Sequence, residues 1–247
     1  MSEITFPESK KPEDFNHDLK EQTDGMDEKS RVNFEEKRII YGDRPQRAKI
    51  FDNKILEKLS YVRPWHIFVF WVPIVSYWIY NSVNTFNHSA SVIALNIVLG
   101  ILVWTLAEYM IHKYPFHYHA KSAFGRRNVY IMHGNHHDDP MDPLRGVMPI
   151  IPAIVYVFIL YQLSNLVVPT QYLQLFFGGF MIGYLLYDGI HYYTHHGKPK
   201  NAIGKYLRRS HLIHHVHPDI KFGISTPLWD ILLGTNSKKG YDAPKEF

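Results

Sequence analysis

The chain has 247 residues, 46 % hydrophobic and 15 % aromatic, with a net charge of +4 and no cysteine. That length suits one domain, and the missing thiols exclude a disulfide framework, an iron–sulfur cluster and a thiol nucleophile, so any metal must be held by other ligands. The mean hydropathy of −0.21 is a poor guide, because a charged N-terminal part dilutes long apolar runs further along.

Residues 1–48 are charged, lack aliphatic periodicity and do not start like a signal peptide, so they read as a partly disordered cytosolic arm. Between Lys49 and Ser60 the apolar residues Phe51, Ile55 and Leu59 recur every four positions beside Lys49, Lys54 and Lys58. This predicts a short helix within 49–63, lying on a membrane surface or packed on the protein.

Two apolar stretches follow, 65–86 and 90–111, and a second pair runs over 147–168 and 171–190. Each is near the ~20 residues that a helix needs to cross ~30 Å of hydrocarbon, which predicts two helical hairpins. Pro149 and Pro152 suit a helix start, and Gly179 with Gly183 permits close helix packing. Of the 27 Lys and Arg residues, 13 precede the first stretch, 5 lie between the second and third, and 9 follow the fourth. The loops NHSAS and VPTQ carry none, so the positive-inside rule places both termini and the middle loop in the cytoplasm. The basic balance therefore reports topology and not nucleic acid. The fold expected is an all-α integral membrane protein, with four transmembrane helices in two hairpins and a cytosolic, helical, histidine-rich metal-binding cap. The membrane domain would cover 64–236, with a tail over 237–247.

Thirteen of the 16 histidines fall between His112 and His217, all on the expected cytoplasmic side. HKYPFH offers His112 and His117, where Pro115 is expected to end the helix and let His117 fold back toward His112. HGNHH offers His133, His136 and His137 at i, i+3 and i+4, one face of a helix. In HYYTHH, His191 and His195 share a face from which His196 points away; HLIHH repeats the three-residue pattern with His211, His214 and His215. His119 and His217 lie off the pattern. Ten candidate imidazoles exceed what one four- to six-coordinate ion uses, so two metal ions are expected. The two Glu-x-x-His motifs of ferritin-like di-iron bundles are missing. Glu108 and Asp188, each near a histidine in sequence, are expected instead to orient imidazoles.

With these residues in view, the chain resembles the fatty acid hydroxylase superfamily over roughly residues 60–236, and within it fatty acid 2-hydroxylases. The resemblance is carried by HGNHHDDPMDPLRGVMP, YDGIHYYTHHG and HLIHHVHPDIKFGISTPLWDILLGT; histidine spacing alone would also admit sterol desaturases and carotenoid hydroxylases. It implies metal ligation by the same ten histidines, and structural or substrate-facing roles for Pro140, Asp142, Arg145, Asp188, Trp229 and Asp230. A loop-bracing salt bridge between Asp142 and Arg145 is an equal reading. Several members carry an N-terminal haem-binding cytochrome domain whose histidine-proline-glycine signature is not found here. A separate cytochrome, ferredoxin or reductase is therefore expected to supply electrons, with membrane lipids around the chain.

The activity implied is addition of a hydroxyl next to the carbonyl of a lipid acyl substrate, with molecular oxygen as co-substrate. Iron is expected for the chemistry and zinc is a possible occupant on purification. A sterol or other lipid desaturase is the rival within catalysis, and a metal transporter or sensor the rival outside it. Transport wants ligands along a path through the midplane, and these histidines sit at one face. A bacterial inner membrane is preferred to the endoplasmic reticulum.

Overall fold

The computed structural model describes residues 49–237, so the expected arm over 1–48 and nearly all of the tail lie outside the described residues. Every regular element among the described residues is helical.

The first helix, α1 (Lys54–Leu59), is shorter than the pattern from Lys49 suggests. Asn53 caps it by accepting from the amides of Ile55 and Leu56, while Glu57 accepts from those of Ile50 and Phe51. The segment before the helix is thereby folded back as a loop. Ile55, Leu56 and Leu59 stay exposed. Glu57 also pairs with Arg145 at 2.6 Å, fastening α1 to the loop beside the histidines. Arg145 therefore braces α1 through Glu57. Glu57→Ala is expected to cost about 2 kcal/mol, the worth of a hydrogen bond to a charged group, read as a lower melting temperature in detergent.

Helices α2 (Pro64–Phe86) and α3 (Ala90–Ile111) form the first hairpin; α2 ends at Asn87, whose left-handed φ of 50° stops it, and Ser89 caps α3. Along α3, Gly100, Trp104 and Glu108 recur every four residues as the buried stripe, while Leu95, Val98, Leu99, Leu102 and Val103 face outward. An all-round apolar helix buried on one stripe is what lipid surroundings produce.

The helical run ends at Phe116, one residue past Pro115, and His117 turns back toward His112 as expected, but the last turn is not α-helical. The chain continues as a π turn, His112–Phe116, whose wider course accommodates a ring that would clash with the preceding turn of an α-helix. Next come α4 (Ala123–Val129), a second π turn (Tyr130–Gly134) and α5 (Asn135–Asp138), three pieces of one helical run.

Helix α6 covers Ile150–Asn165, only 16 residues. Pro149 starts it and a turn at Leu166–Val167 ends it, so it spans about 24 Å, short of the ~30 Å hydrocarbon core. Among the described residues, three helical stretches are long and apolar enough to cross a membrane: Pro64–Phe86, Ala90–Phe116 and Thr170–His196. The last is α7, a single helix running from the apolar region through His191 and His195. It is the central post, packed by α2 and α3, and crossed at its C-terminal end by α8 (Ala202–Val216). Its contact with α3 is backbone against backbone: a Cβ on Gly179 would run into Ile97, and one on Gly100 into Phe176 and Phe180. The small α9 (Leu228–Leu232) packs on α3.

Candidate metal centre

Ten imidazoles converge where the ends of α3 and α7 meet α5 and α8, and they sort into two groups. Site 1 gathers His112, His117, His133, His137 and His214; site 2 gathers His136, His191, His195, His211 and His215. Within each group one ring nitrogen per residue lies within 4.8 Å of all the others. The i, i+3, i+4 triplets are therefore divided between the sites. In HGNHH the i and i+4 residues serve site 1 and the i+3 residue site 2; in HLIHH the assignment is reversed. Each site takes its remaining pair from one helix end, His112 with His117 across the first π turn and His191 with His195 one α turn apart.

The donor set fits a metal. In site 1 the Nε2 atoms of His112 and His133, His133 and His137, and His117 and His214 are each 3.0 Å apart. In site 2 the Nε2 contacts run from His191 through His136, His215 and His211 to His195 at 2.7–3.1 Å. Two nitrogens held at right angles by one ion at ~2.1 Å lie about 3.0 Å apart.

Tautomers point the same way. The Nδ1–H of His112 donates to the carbonyl of Phe222, that of His214 to Ile220, and that of His191 to Gly146. A carbonyl only accepts, so Nε2 of these three carries a bare lone pair turned toward its neighbours. Buried lone pairs facing one another repel, and a cation among them relieves this. Backbone carbonyls thus orient His112, His191 and His214.

Glu108 instead accepts from the amides of Ile224 and Ser225 and from the Ser225 hydroxyl, holding the loop whose Phe222 carbonyl receives His112. Asp188 is 1 % exposed and lines a cavity together with Tyr184, whose hydroxyl lies beside its carboxylate. Asp142 accepts from the Leu144 amide and shapes the loop that presents Arg145 and Gly146. Pro140 is buried in that loop. His196 packs its ring against Tyr192 at a tilt, and neither His119 nor His217 joins a site. The carbonyls of Gly146, Ile220 and Phe222, which sequence reasoning missed, leave no signal in residue type.

The cavity lies among α3, α6 and α7. Ala153, Val157, Leu160, Phe180 and Met181 give it apolar walls, and His133, His136 and His191, drawn from both sites, also line it. Trp104, Tyr184 and Asp188 also line it, with the Tyr184 hydroxyl beside the Asp188 carboxylate and the Trp104 indole beside Glu108.

Burial holds the metal-free imidazoles neutral: it lowers His117 to about 4 and His137 to about 3, and His133, His136, His211, His214 and His215 well below the ordinary 6.5. The unfolded chain takes up protons below pH 6.5 that the folded sites refuse, so stability present above that value is lost as pH falls toward 4. The metal-free protein should therefore melt at a lower temperature at pH 5 than at pH 7.5, by differential scanning fluorimetry. A similar stability at both values would show that the clusters are solvated.

The profile of the fatty acid hydroxylase family matches residues 97–235. A dihydroceramide fatty acyl 2-hydroxylase from Arabidopsis thaliana is 36 % identical over 188 residues, covering 76 % of this chain and 79 % of that protein. Human fatty acid 2-hydroxylase is 32 % identical over 208 residues, covering 76 % of this chain but 56 % of the human one. Among solved structures, full-length scs7p, of which only the hydroxylase domain is visible, superposes with a TM-score of 0.72 at 26 % identity, covering 84 % of this chain and 85 % of that one.

Proposed function

The chain belongs to the fatty acid hydroxylase family, and from that premise we propose that it is an oxygen-dependent di-metal enzyme adding a hydroxyl at the 2-position of a fatty acyl chain. The observation that carries this reading is the apolar cavity lined by His133, His136 and His191, which would bring a lipid tail beside both sites. The acyl group would be carried as a free acid, a thioester or a sphingolipid amide; relatives named for ceramide and dihydroceramide favour the amide.

The residues of sites 1 and 2 would each hold one ion. Bound iron supplies the oxidising power for an unactivated C–H bond, which no side chain provides, while zinc binds such nitrogen donors at least as well and is an expected contaminant. Overall, the C–H bond becomes C–OH, and molecular oxygen with two electrons and two protons yields that oxygen atom and one water. A separate cytochrome, ferredoxin or reductase delivers the electrons. Phe180, Met181 and Leu160 exclude water from the tail, and Tyr184 with Asp188, on the same lining, would hold the polar end of the acyl group.

In this reading α2, α3 and α7 cross the bilayer, and α6 is a shorter fourth span extended by the exposed Leu166 and Val167. The sites and both termini face the cytoplasm, where electron donors are available. Lipid mass spectrometry of cells with and without the chain, with a donor present, tests the activity. Acyl chains 16 Da heavier, with the oxygen at carbon 2, are expected; lipids lacking two hydrogens instead would replace this reading with desaturation.

A further inference from the structure

We infer that residues 222–234 form a re-entrant loop whose tip, α9, inserts into the bilayer leaflet nearest the histidine sites. The inference rests on the reading of α3 as a membrane span.

The polarity of α9 is inverted for a surface helix. Asp230, its acid, is 1 % exposed, while Leu228, Ile231 and Leu232, at i, i+3 and i+4, are 41 %, 59 % and 63 % exposed, and the following Leu233 is 51 % exposed. In water that arrangement loses on both faces; against hydrocarbon it gains on both.

Depth gives a second, independent argument. The Trp229 indole N–H donates to the Thr105 hydroxyl of α3 at 2.9 Å. Thr105 precedes Lys113, the first cation beyond α3, by eight positions, and at 1.5 Å per residue lies about 12 Å deeper along the axis. At Thr105, α9 therefore touches α3 below the level at which α3 leaves its apolar stretch.

Backbone at that depth must satisfy its own polar groups. The loop's neck is closed by the Lys221 amide donating to the Thr235 carbonyl at 2.8 Å. Inside it, the amides of Phe222 and Gly223 donate to the Asp230 carboxylate, and those of Ile224 and Ser225 to Glu108. The amides of Thr235 and Asn236 return to the Asp230 carbonyl. One buried carboxylate from within the loop and one from α3 thus replace water along its non-helical part. The same loop bears the Phe222 carbonyl that orients His112, so the embedded tip steadies site 1.

The chain has no cysteine, so Ile231→Cys and Leu232→Cys each place a single nitroxide on an exposed position without disturbing packing. The full chain, loaded with zinc, would be reconstituted in phosphatidylcholine liposomes and its spin relaxation measured with oxygen and with a water-soluble nickel chelate. Leu95→Cys on the outer face of α3 and the exposed Lys200→Cys are the references. Labels at 231 and 232 should match 95, with oxygen collisions dominating. Nickel collisions dominating, as at 200, would overturn the inference, and so would shielding from both reagents, which means a protein contact. If 95 itself behaves like 200, the membrane reading of α3 fails with it; failure at 231 and 232 alone leaves that reading standing.

Discussion

The double variant His136→Ala, His137→Ala should purify with neither ion and leave 2-hydroxylated lipids at background. These adjacent residues serve different sites, His137 the first and His136 the second, and each is one of only five donors there. Replacing them removes His136 Nε2 from its contacts with His191 and His215, and His137 Nε2 from its contact with His133. Single variants separate the sites. His137→Ala or His117→Ala should lower metal content by one ion per chain, and His211→Ala or His195→Ala should remove the other. Elemental analysis of purified protein reads this without turnover. Loss of both ions from any single variant would mean that the ten imidazoles act as one cluster.

Gly179→Leu is expected to abolish the folded protein. Gly179 and Gly100 meet across the crossing of α7 with α3, where a Cβ on Gly179 would already collide with the Ile97 backbone. Overpacking typically costs 1–3 kcal/mol where neighbours can shift, and about 3 kcal/mol or more is expected here because the obstacle is a helix backbone. Both helices carry site residues at one end, Glu108 on α3 with His112 just beyond it, and His191 and His195 on α7. Separating them should release metal as well as lower the yield of monodisperse protein. Gly189→Leu is the comparison, because the nearest atom to a Cβ there is the far end of the Phe68 ring at 3.5 Å. Normal yield and metal content for Gly179→Leu would show that the helices can move apart.

Much of the centre was legible in residue spacing. The i, i+3 and i+4 histidines of two motifs mark helices that approach a shared point, and the structure brings all ten imidazoles together. Spacing does not show how they divide, because whether His136 joins His133 or His191 depends on which helix ends lie across from α5. Pro115 marks the end of the helical run to within one residue, but the π turn through which the run ends has no signal in the sequence. Orientation by Glu108 and Asp188 was inferred from nearness in sequence. Glu108 instead reaches Ile224 and Ser225, more than a hundred positions away, and the orienting groups are carbonyls present in every residue. Two apolar hairpins were visible in composition, but α6 is cut short by Pro149 and the turn at Leu166, so its length falls below that of the other three stretches.

The most direct test of the account is turnover under labelled oxygen. Purified protein loaded with ferrous iron, reconstituted in liposomes with a long-chain ceramide and a reduced electron donor, would be exposed to ¹⁸O₂ and its lipid product fragmented by mass spectrometry. The account predicts one heavy oxygen on carbon 2 of the acyl chain, absent with the His136→Ala, His137→Ala variant. Recovery of an unlabelled, dehydrogenated lipid, or label at carbon 2 undiminished in that variant, would contradict it.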